Sequence, residues 1–278
     1  MREITRIEIE LNNICNLQCP LCIRQTHPEL TDNKTLDYNV LIERLENLKD
    51  LKYVTLAGPT SEPTLYKKLV PLLRYLKMRD IEVSLFINGD THDDMYYRKL
   101  GMLFKGINGH IYLTVCGSTQ ELHEKYRVGS NLNTVLRRLD IINLYSKKGI
   151  LNYIVFNYNK DDDRSRFNKY KAEYFHTLPV SEHFELDSEI HLPKLVSEAY
   201  STLNREDITK ECPAEEYNFA LLSSDNKLNP CSLFKNFGDK HCWECSKNNS
   251  KILSDNKIYR LAEAESDTSE LALHLKGR

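Results

Sequence analysis

A chain of 278 residues with 41% hydrophobic and 28% charged residues has room for one α/β domain of roughly 200 residues and a small appendage. A net charge of −2 argues against a generally basic, nucleic-acid-binding surface. The opening "MREITRIEIEL" lacks the apolar stretch of a secretory signal, and no run approaches the length of a membrane span. A cytoplasmic protein is expected, and there the eight cysteines point to metal binding or catalysis before disulfides.

In chain order, strand-like runs are "RIEIEL" (6–11), "YVTLAG" (53–58), "IEVSLFIN" (81–88), "HIYLTV" (110–115), "NYIVFNY" (152–158) and "HFELD" (183–187). Between them, apolar residues recur every three or four positions over 36–49, 66–79, 93–104, 132–148 and 163–175, which predicts helices. Alternating strands and helices imply right-handed crossovers and a parallel sheet. Six such units predict an α/β fold, a partial (β/α)6 TIM-like barrel. Ligand sites in such folds form beyond the C-terminal ends of the strands. Cys15, Cys19 and Cys22 follow the first strand, residues 58–63 the second, "NGD" the third and "CGS" the fourth. These loops are therefore expected to share one functional rim.

The first cysteines lie in "NNICNLQCPLCIRQ" (12–25) with spacing C-x3-C-x2-C. Three thiolates on one short loop can hold three corners of a cubane iron–sulfur cluster and leave the fourth iron open. A closed zinc site would need a fourth ligand, for which His27 is the local candidate. This motif after a first strand resembles the signature of the radical S-adenosylmethionine (SAM) superfamily. The resemblance implies a [4Fe-4S] cluster on Cys15, Cys19 and Cys22 that binds SAM and cleaves it reductively to a 5′-deoxyadenosyl radical. It also implies a flavodoxin or ferredoxin as electron donor.

Further segments are similar to that family. Leu21 stands where an aromatic residue usually packs on the adenine. "LAGPTSEP" (56–63) resembles its Gly-Gly-Glu-Pro segment, which implies that Gly58 and Glu62 hold the SAM amino group, although "PTS" replaces the second glycine. Read on through 69, the segment is also a turn followed by a helix that Thr64 caps. "INGD" (87–90) resembles Thr-Asn-Gly, so Asn88 is either a SAM ribose contact or part of a tight turn. Asn157 in "FNYN" is a candidate adenine contact. "TVCGSTQELHEKYRVGS" (114–130) resembles a Ser-Leu-Asp-Gly stretch followed by His-x-x-Tyr-Arg, with Cys116 at the aspartate position. Cys116 is thus a candidate hydrogen-atom donor, or an ordinary buried cysteine. Arg127 is a candidate carboxylate clamp, or a surface ion pair. Arg127, His123 and Tyr126 are the nearest acid–base candidates in sequence, with none of them assigned, and "DDDR" (161–164) reads as a solvated helix N-terminus.

Beyond the barrel (1–190), residues 191–211 read as a linker with a helix and 254–278 as a polar tail. Between them, 212–253 carries Cys212, Cys231, Cys242 and Cys245, with a hairpin expected through "SSDNK". This small cysteine-rich extension resembles the twitch form of the SPASM auxiliary-cluster domain, which implies a second [4Fe-4S] cluster; four thiolates also suit structural zinc. The resemblance implies oxidation or epimerisation of a small-molecule substrate, polar like a sugar, cyclitol or nucleotide-sugar, with no membrane or nucleic-acid partner. A peptide or protein maturase is the second reading, lowered by the lack of a leader-binding domain before the first strand. A non-catalytic metal-binding protein is the remote one.

Overall fold

The computed structural model describes residues 4–20, 22–26, 28, 31–58, 60–176, 219–222 and 228–229. Among the described residues the first six strands run parallel: β1 (Arg6–Glu10), β2 (Tyr53–Ala57), β3 (Glu82–Ile87), β4 (Gly109–Val115), β5 (Gly149–Val155) and β6 (Ala172–His176). Two more, β7 (Phe219–Leu222) and β8 (Leu228–Asn229), complete a sheet ordered β6-β5-β4-β3-β2-β1-β7-β8. The α/β partial barrel expected from the sequence is the fold observed.

Strand alternation decides which face packs. Ile7, Ile9, Val54, Leu56, Val83 and Leu85 belong to one apolar cluster with helix residues Leu41, Leu69, Leu72 and Leu139. Each such buried leucine contributes about 1.5–3 kcal/mol relative to exposure. The intervening residues Glu8, Thr55, Ser84, Phe86 and Tyr112 face the other way, half-buried on the concave side. Short Asp, Thr and Asn side chains set the helix starts by accepting orphan backbone N–H groups. Asp37 caps α2 (Tyr38–Asn47), Asp93 caps α4 (Asp94–Phe104), Thr119 caps α5 (Gln120–Tyr126) and Asn131 caps α6 (Leu132–Tyr145). Of the other helices, α1 is Ile23–Thr26, and α3 (Leu69–Met78) carries Pro71 in its first turn, where no N–H is missed.

One expectation is corrected. Residues 163–175 do not form a helix: a 3-10 turn at Ser165–Phe167 leads into β6, which pairs with β5 from Leu151↔Ala172 to Val155↔His176. Phe167 and Tyr170 do face the core with helical spacing, but the open edge of β5 captures residues 172–176 as a strand. The strand expected at 183–187 lies outside the described residues. Also, α5 occupies 120–126, a segment whose helical character its motif does not announce. β7 and β8, the flanks of the expected hairpin, pair antiparallel, "SSDNK" itself lies outside the described residues, and β7 joins the barrel sheet parallel to β1.

Gly109 begins β4 with φ +130°, and a Cβ there would overlap the Val83 carbonyl oxygen of β3. A Cβ on Gly106 would meet only the flexible end of Lys77. Gly109→Ala is expected to destabilise the fold by roughly 3 kcal/mol or more, and Gly106→Ala by under about 0.5 kcal/mol, read as thermal unfolding midpoints.

Candidate functional site

The cysteine loop follows β1 and has no regular structure of its own, so its shape depends on its neighbours. Asn12 Nδ2 donates to the Glu62 carbonyl at 3.2 Å, and Glu62 N–H returns a bond to the Ile14 carbonyl at 2.8 Å. Asn12 Oδ1 accepts from Ile14 N–H at 2.9 Å, and Gln18 N–H donates to the Val128 carbonyl at 3.1 Å. The loop is thereby tied to the segments after β2 and after α5. Cys19 is buried, while Cys15 and Cys22 are half-buried.

Glu62 and Asn88 lock these segments together. Glu62 is 3% exposed, and its Oε1 accepts from Thr64 N–H at 3.1 Å and Thr64 Oγ1 at 2.5 Å. Its Oε2 accepts from Asn88 N–H at 2.8 Å. Glu62, not Thr64, therefore caps the following 3-10 turn Pro63–Leu65. Asn88 Nδ2 donates to Asn16 Oδ1 at 2.7 Å and approaches Cys15 Sγ at 3.8 Å. Its Oδ1 accepts from Asp90 N–H at 2.8 Å. Gly58 sits at φ +131°, and a Cβ there would meet Glu10 Cγ at 2.6 Å, so Glu10 itself occupies the space that glycine leaves. Glu10 Oε1 in turn accepts from Thr60 N–H at 3.2 Å and from its hydroxyl.

The segments after β4 and β5 close the rim. Cys116 is fully buried and packs on Phe156. Its carbonyl accepts from Tyr158 OH at 3.1 Å and Asn159 Nδ2 at 2.8 Å. Tyr126 lies against Phe156 with ring centroids 4.5 Å apart. His123 is buried with both ring nitrogens engaged, so it is no free acid or base. Arg127 is half-buried, and its Nε is enclosed without a hydrogen-bond partner. Within "DDDR", Asp162 is not merely solvated: it accepts from Ser118 N–H at 2.6 Å, Ser118 Oγ at 2.5 Å and Tyr153 OH at 2.7 Å.

Electrostatics place these groups around Arg127. Burial pushes Cys15, Cys116 and Glu62 up, and the Arg127 guanidinium pulls each of them back down. Burial holds Cys22 up at about 11, and Cys19 and Cys15 add to that. For Arg127, burial acts downward but Cys19, Cys116, Tyr126 and Cys15 outweigh it, raising it overall. An enclosed guanidinium nitrogen beside thiols suits an anionic occupant of the loop. Among the described residues, no three Cys, His, Asp or Glu side chains converge as a single metal ion requires. In a cubane each thiolate takes a separate iron, a role open to three thiols carried on one short loop. Glu62, with three donors on its four acceptor positions, keeps room for one further donor such as an ammonium.

The radical SAM superfamily model matches residues 9–169, and that span contains the whole rim just described. The chain belongs to the radical SAM superfamily. Among curated proteins, a probable GTP 3′,8-cyclase of Pyrococcus horikoshii is 32% identical over 90 residues, 32% of this chain and 28% of the relative. A tungsten-containing aldehyde ferredoxin oxidoreductase cofactor-modifying protein of Pyrococcus furiosus is 26% identical over 98 residues, 34% of this chain and 27% of the relative. The chain thus spans under a third of the curated relatives it matches. Streptococcus suis SuiB bound to precursor peptide SuiA shares the fold: TM-score 0.61 at 14% identity, over 86% of this chain and 62% of that one. Radical SAM proteins take a [4Fe-4S] cluster and SAM. No helix among the described residues is long and apolar enough to cross a membrane.

Of the expected radical SAM residues, Cys15, Cys19, Cys22, Gly58, Glu62, Asn88, Cys116 and Arg127 lie on the one rim. Leu21, the Asn157 side chain, Cys212, Cys231, Cys242 and Cys245 lie outside the described residues. Sequence reasoning missed Asn12, Glu10, Asp90 and Asp162, although an acidic residue inside the β1 alternation "RIEIEL" is a readable signal of an inward polar face. Glu8 shares the face of Glu10, and burial, helped by Glu10, pushes its carboxyl up to about 7. The folded state therefore binds more protons than the unfolded one between about pH 4.5 and pH 7, so stability falls as pH rises through that window. In Glu8→Gln, the unfolding midpoint is expected to fall less over this window than in wild type.

Proposed function

We propose that this chain is a radical SAM oxidoreductase or epimerase acting on a small polar molecule, with its cluster on Cys15, Cys19 and Cys22. The observation that carries the reading is the convergence of the thiol loop, Glu62 and Arg127 on one rim, joined by Asn88. A cluster and SAM bound there supply one-electron cleavage to a hydrogen-abstracting 5′-deoxyadenosyl radical. The protein's own residues bind and orient. Glu62 accepts the SAM ammonium in its remaining acceptor position, and Arg127 holds a carboxylate of SAM or substrate through its enclosed guanidinium. Leu21, Asn88 and Asn157 complete the SAM contacts in this reading, while the space beside Gly58 is taken by Glu10. Cys116, kept protonated by burial against the pull of Arg127, retains the S–H bond that a hydrogen-atom donor must have. That role belongs to epimerisation.

A polar substrate is supported by the concave face below the rim, where Glu8, Thr55 and Ser84 lie in one register row. Asn152 Nδ2 donates to Thr114 Oγ1 at 3.1 Å on that face, and its enclosed Oδ1 has no partner. An unpaired buried amide oxygen costs roughly 1–3 kcal/mol, which a substrate hydroxyl or amine would offset. We further assign Cys212, Cys231, Cys242 and Cys245 to an auxiliary [4Fe-4S] cluster in a twitch-like segment, 212–253, following a barrel of 1–190. Support comes from β7, which falls between Cys212 and Cys231 in the chain and adds to the sheet beside β1, the strand that leads into the thiol loop. A flavodoxin or ferredoxin is the proposed electron donor.

The test is SAM cleavage by anaerobically reconstituted enzyme with dithionite, read as 5′-deoxyadenosine. Cys15→Ala, Cys19→Ala and Cys22→Ala are each expected to abolish it, and Cys245→Ala to retain it while losing about half the bound iron. Cleavage retained in any of the first three overturns the assignment; unchanged iron in Cys245→Ala removes the auxiliary cluster.

A further inference from the structure

His123, Ser130 and Asp90 form a hydrogen-bonded line that the chemistry above does not use. The backbone N–H of Cys116 donates to His123 Nδ1 at 3.2 Å, so that nitrogen carries no proton. Burial, and then the Arg127 guanidinium, lower the ring to about 3, so it stays neutral near pH 7. Its one ring proton therefore sits on Nε2, which donates to Ser130 Oγ at 2.8 Å. Ser130 Oγ, having accepted, donates its own proton to Asp90 Oδ2, which also accepts from Asn131 N–H at 3.2 Å. Arg138 stands 4.0 Å from Asp90 Oδ1. Every proton in the line has a fixed direction.

That direction excludes a nucleophilic serine. In a hydrolytic triad the histidine accepts the serine proton. Here the Ser130 proton goes to Asp90, and the accepting nitrogen of His123 is already occupied. The ends of the line show its use instead. One end is the backbone of Cys116; at the other, Asp90 N–H donates to Asn88 Oδ1. Arg127 hangs between them: its N–H donates to the His123 carbonyl at 2.9 Å, and its carbonyl accepts from Ser130 N–H at 2.9 Å. Holding His123 and Ser130 in place thus fixes the Arg127 backbone from both sides. His123 and Ser130 are 0% and 3% exposed, so no water competes for their bonds.

We propose that Asp90, Ser130 and His123 are positioning residues that hold Arg127 and Cys116 against the thiol loop, with His123 locked as the neutral Nε2–H tautomer. Only the kinetic arm of the test rests on the reading of Arg127 as a carboxylate clamp.

The first arm is nitrogen NMR of histidine-labelled full-length protein, with the His123 signals assigned by their loss in His123→Asn. Unprotonated Nδ1, protonated Nε2 and no titration between about pH 5 and pH 8 are expected. An Nδ1–H tautomer, or a ring that titrates in that range, overturns the proposal. The second arm compares reconstituted Ser130→Ala and Ser130→Thr. Losing one internal hydrogen bond at this point is expected to raise the KM for SAM roughly tenfold with kcat within about twofold, and the threonine hydroxyl to restore KM. An unchanged KM in Ser130→Ala, in a system where wild type cleaves SAM, overturns the positioning role and leaves the proposed function standing. Absence of cleavage in wild type fails the proposed function, and the tautomer result then decides the line. Should Ser130→Ala not fold, the same kinetic split is read in Asp90→Asn.

Discussion

The thiol loop has no helix or strand to hold it, and its position rests on the bond from Asn88 N–H to the buried Glu62 carboxylate. That bond joins the segment after β3 to the segment after β2. From there the Asn88 amide reaches Asn16 and Cys15, and the Glu62 backbone reaches Asn12 and Ile14. A buried carboxylate is costly unless donors satisfy it, and three donors do so here. The same arrangement makes the rim cooperative: removing one member strands buried partners and not merely one contact. It also explains why two loops distant in the chain act as one site.

Arg127 organises the electrostatics of that site. It lowers Cys15, Cys116, Glu62, Asp90 and His123 against the burial that opposes their charging or, for His123, in the same direction as burial. A cation in this position favours anions on the loop and keeps a neighbouring imidazole neutral. The concave face shows a similar economy on the strands, where the polar row beneath the rim faces away from the leucine-rich helical layer. The sheet thus separates stability on one side from chemistry on the other.

Much of this is legible in the sequence because it is local. Period-two runs mark five of the strands to within a few residues, and the spacing of Cys15, Cys19 and Cys22 needs no tertiary context. The illegible part is non-local. The Asn88–Asn16 bond spans 72 residues and the Ser118–Asp162 bond 44, so neither leaves a pattern in any window. Phe167, Tyr170 and Tyr174 have helical spacing, yet pairing with β5 makes 172–176 a strand. The letters around Glu62 offer it as a ligand or Thr64 as a cap, whereas Glu62 does the capping and still keeps one acceptor position. Gly58 reads as a close approach to a ligand, and the structure puts Glu10 in that space.

The rim is held as one hydrogen-bonded unit by the protein alone. Native-state hydrogen exchange of the cofactor-free chain tests it at two amides, Asn88 and Thr64, whose acceptors are the two Glu62 oxygens. Both amides are expected to be protected comparably to Leu85 within β3. Exchange of both as fast as in an exposed loop would contradict this, because the thiol loop would then have no fixed neighbours until its cofactors bind.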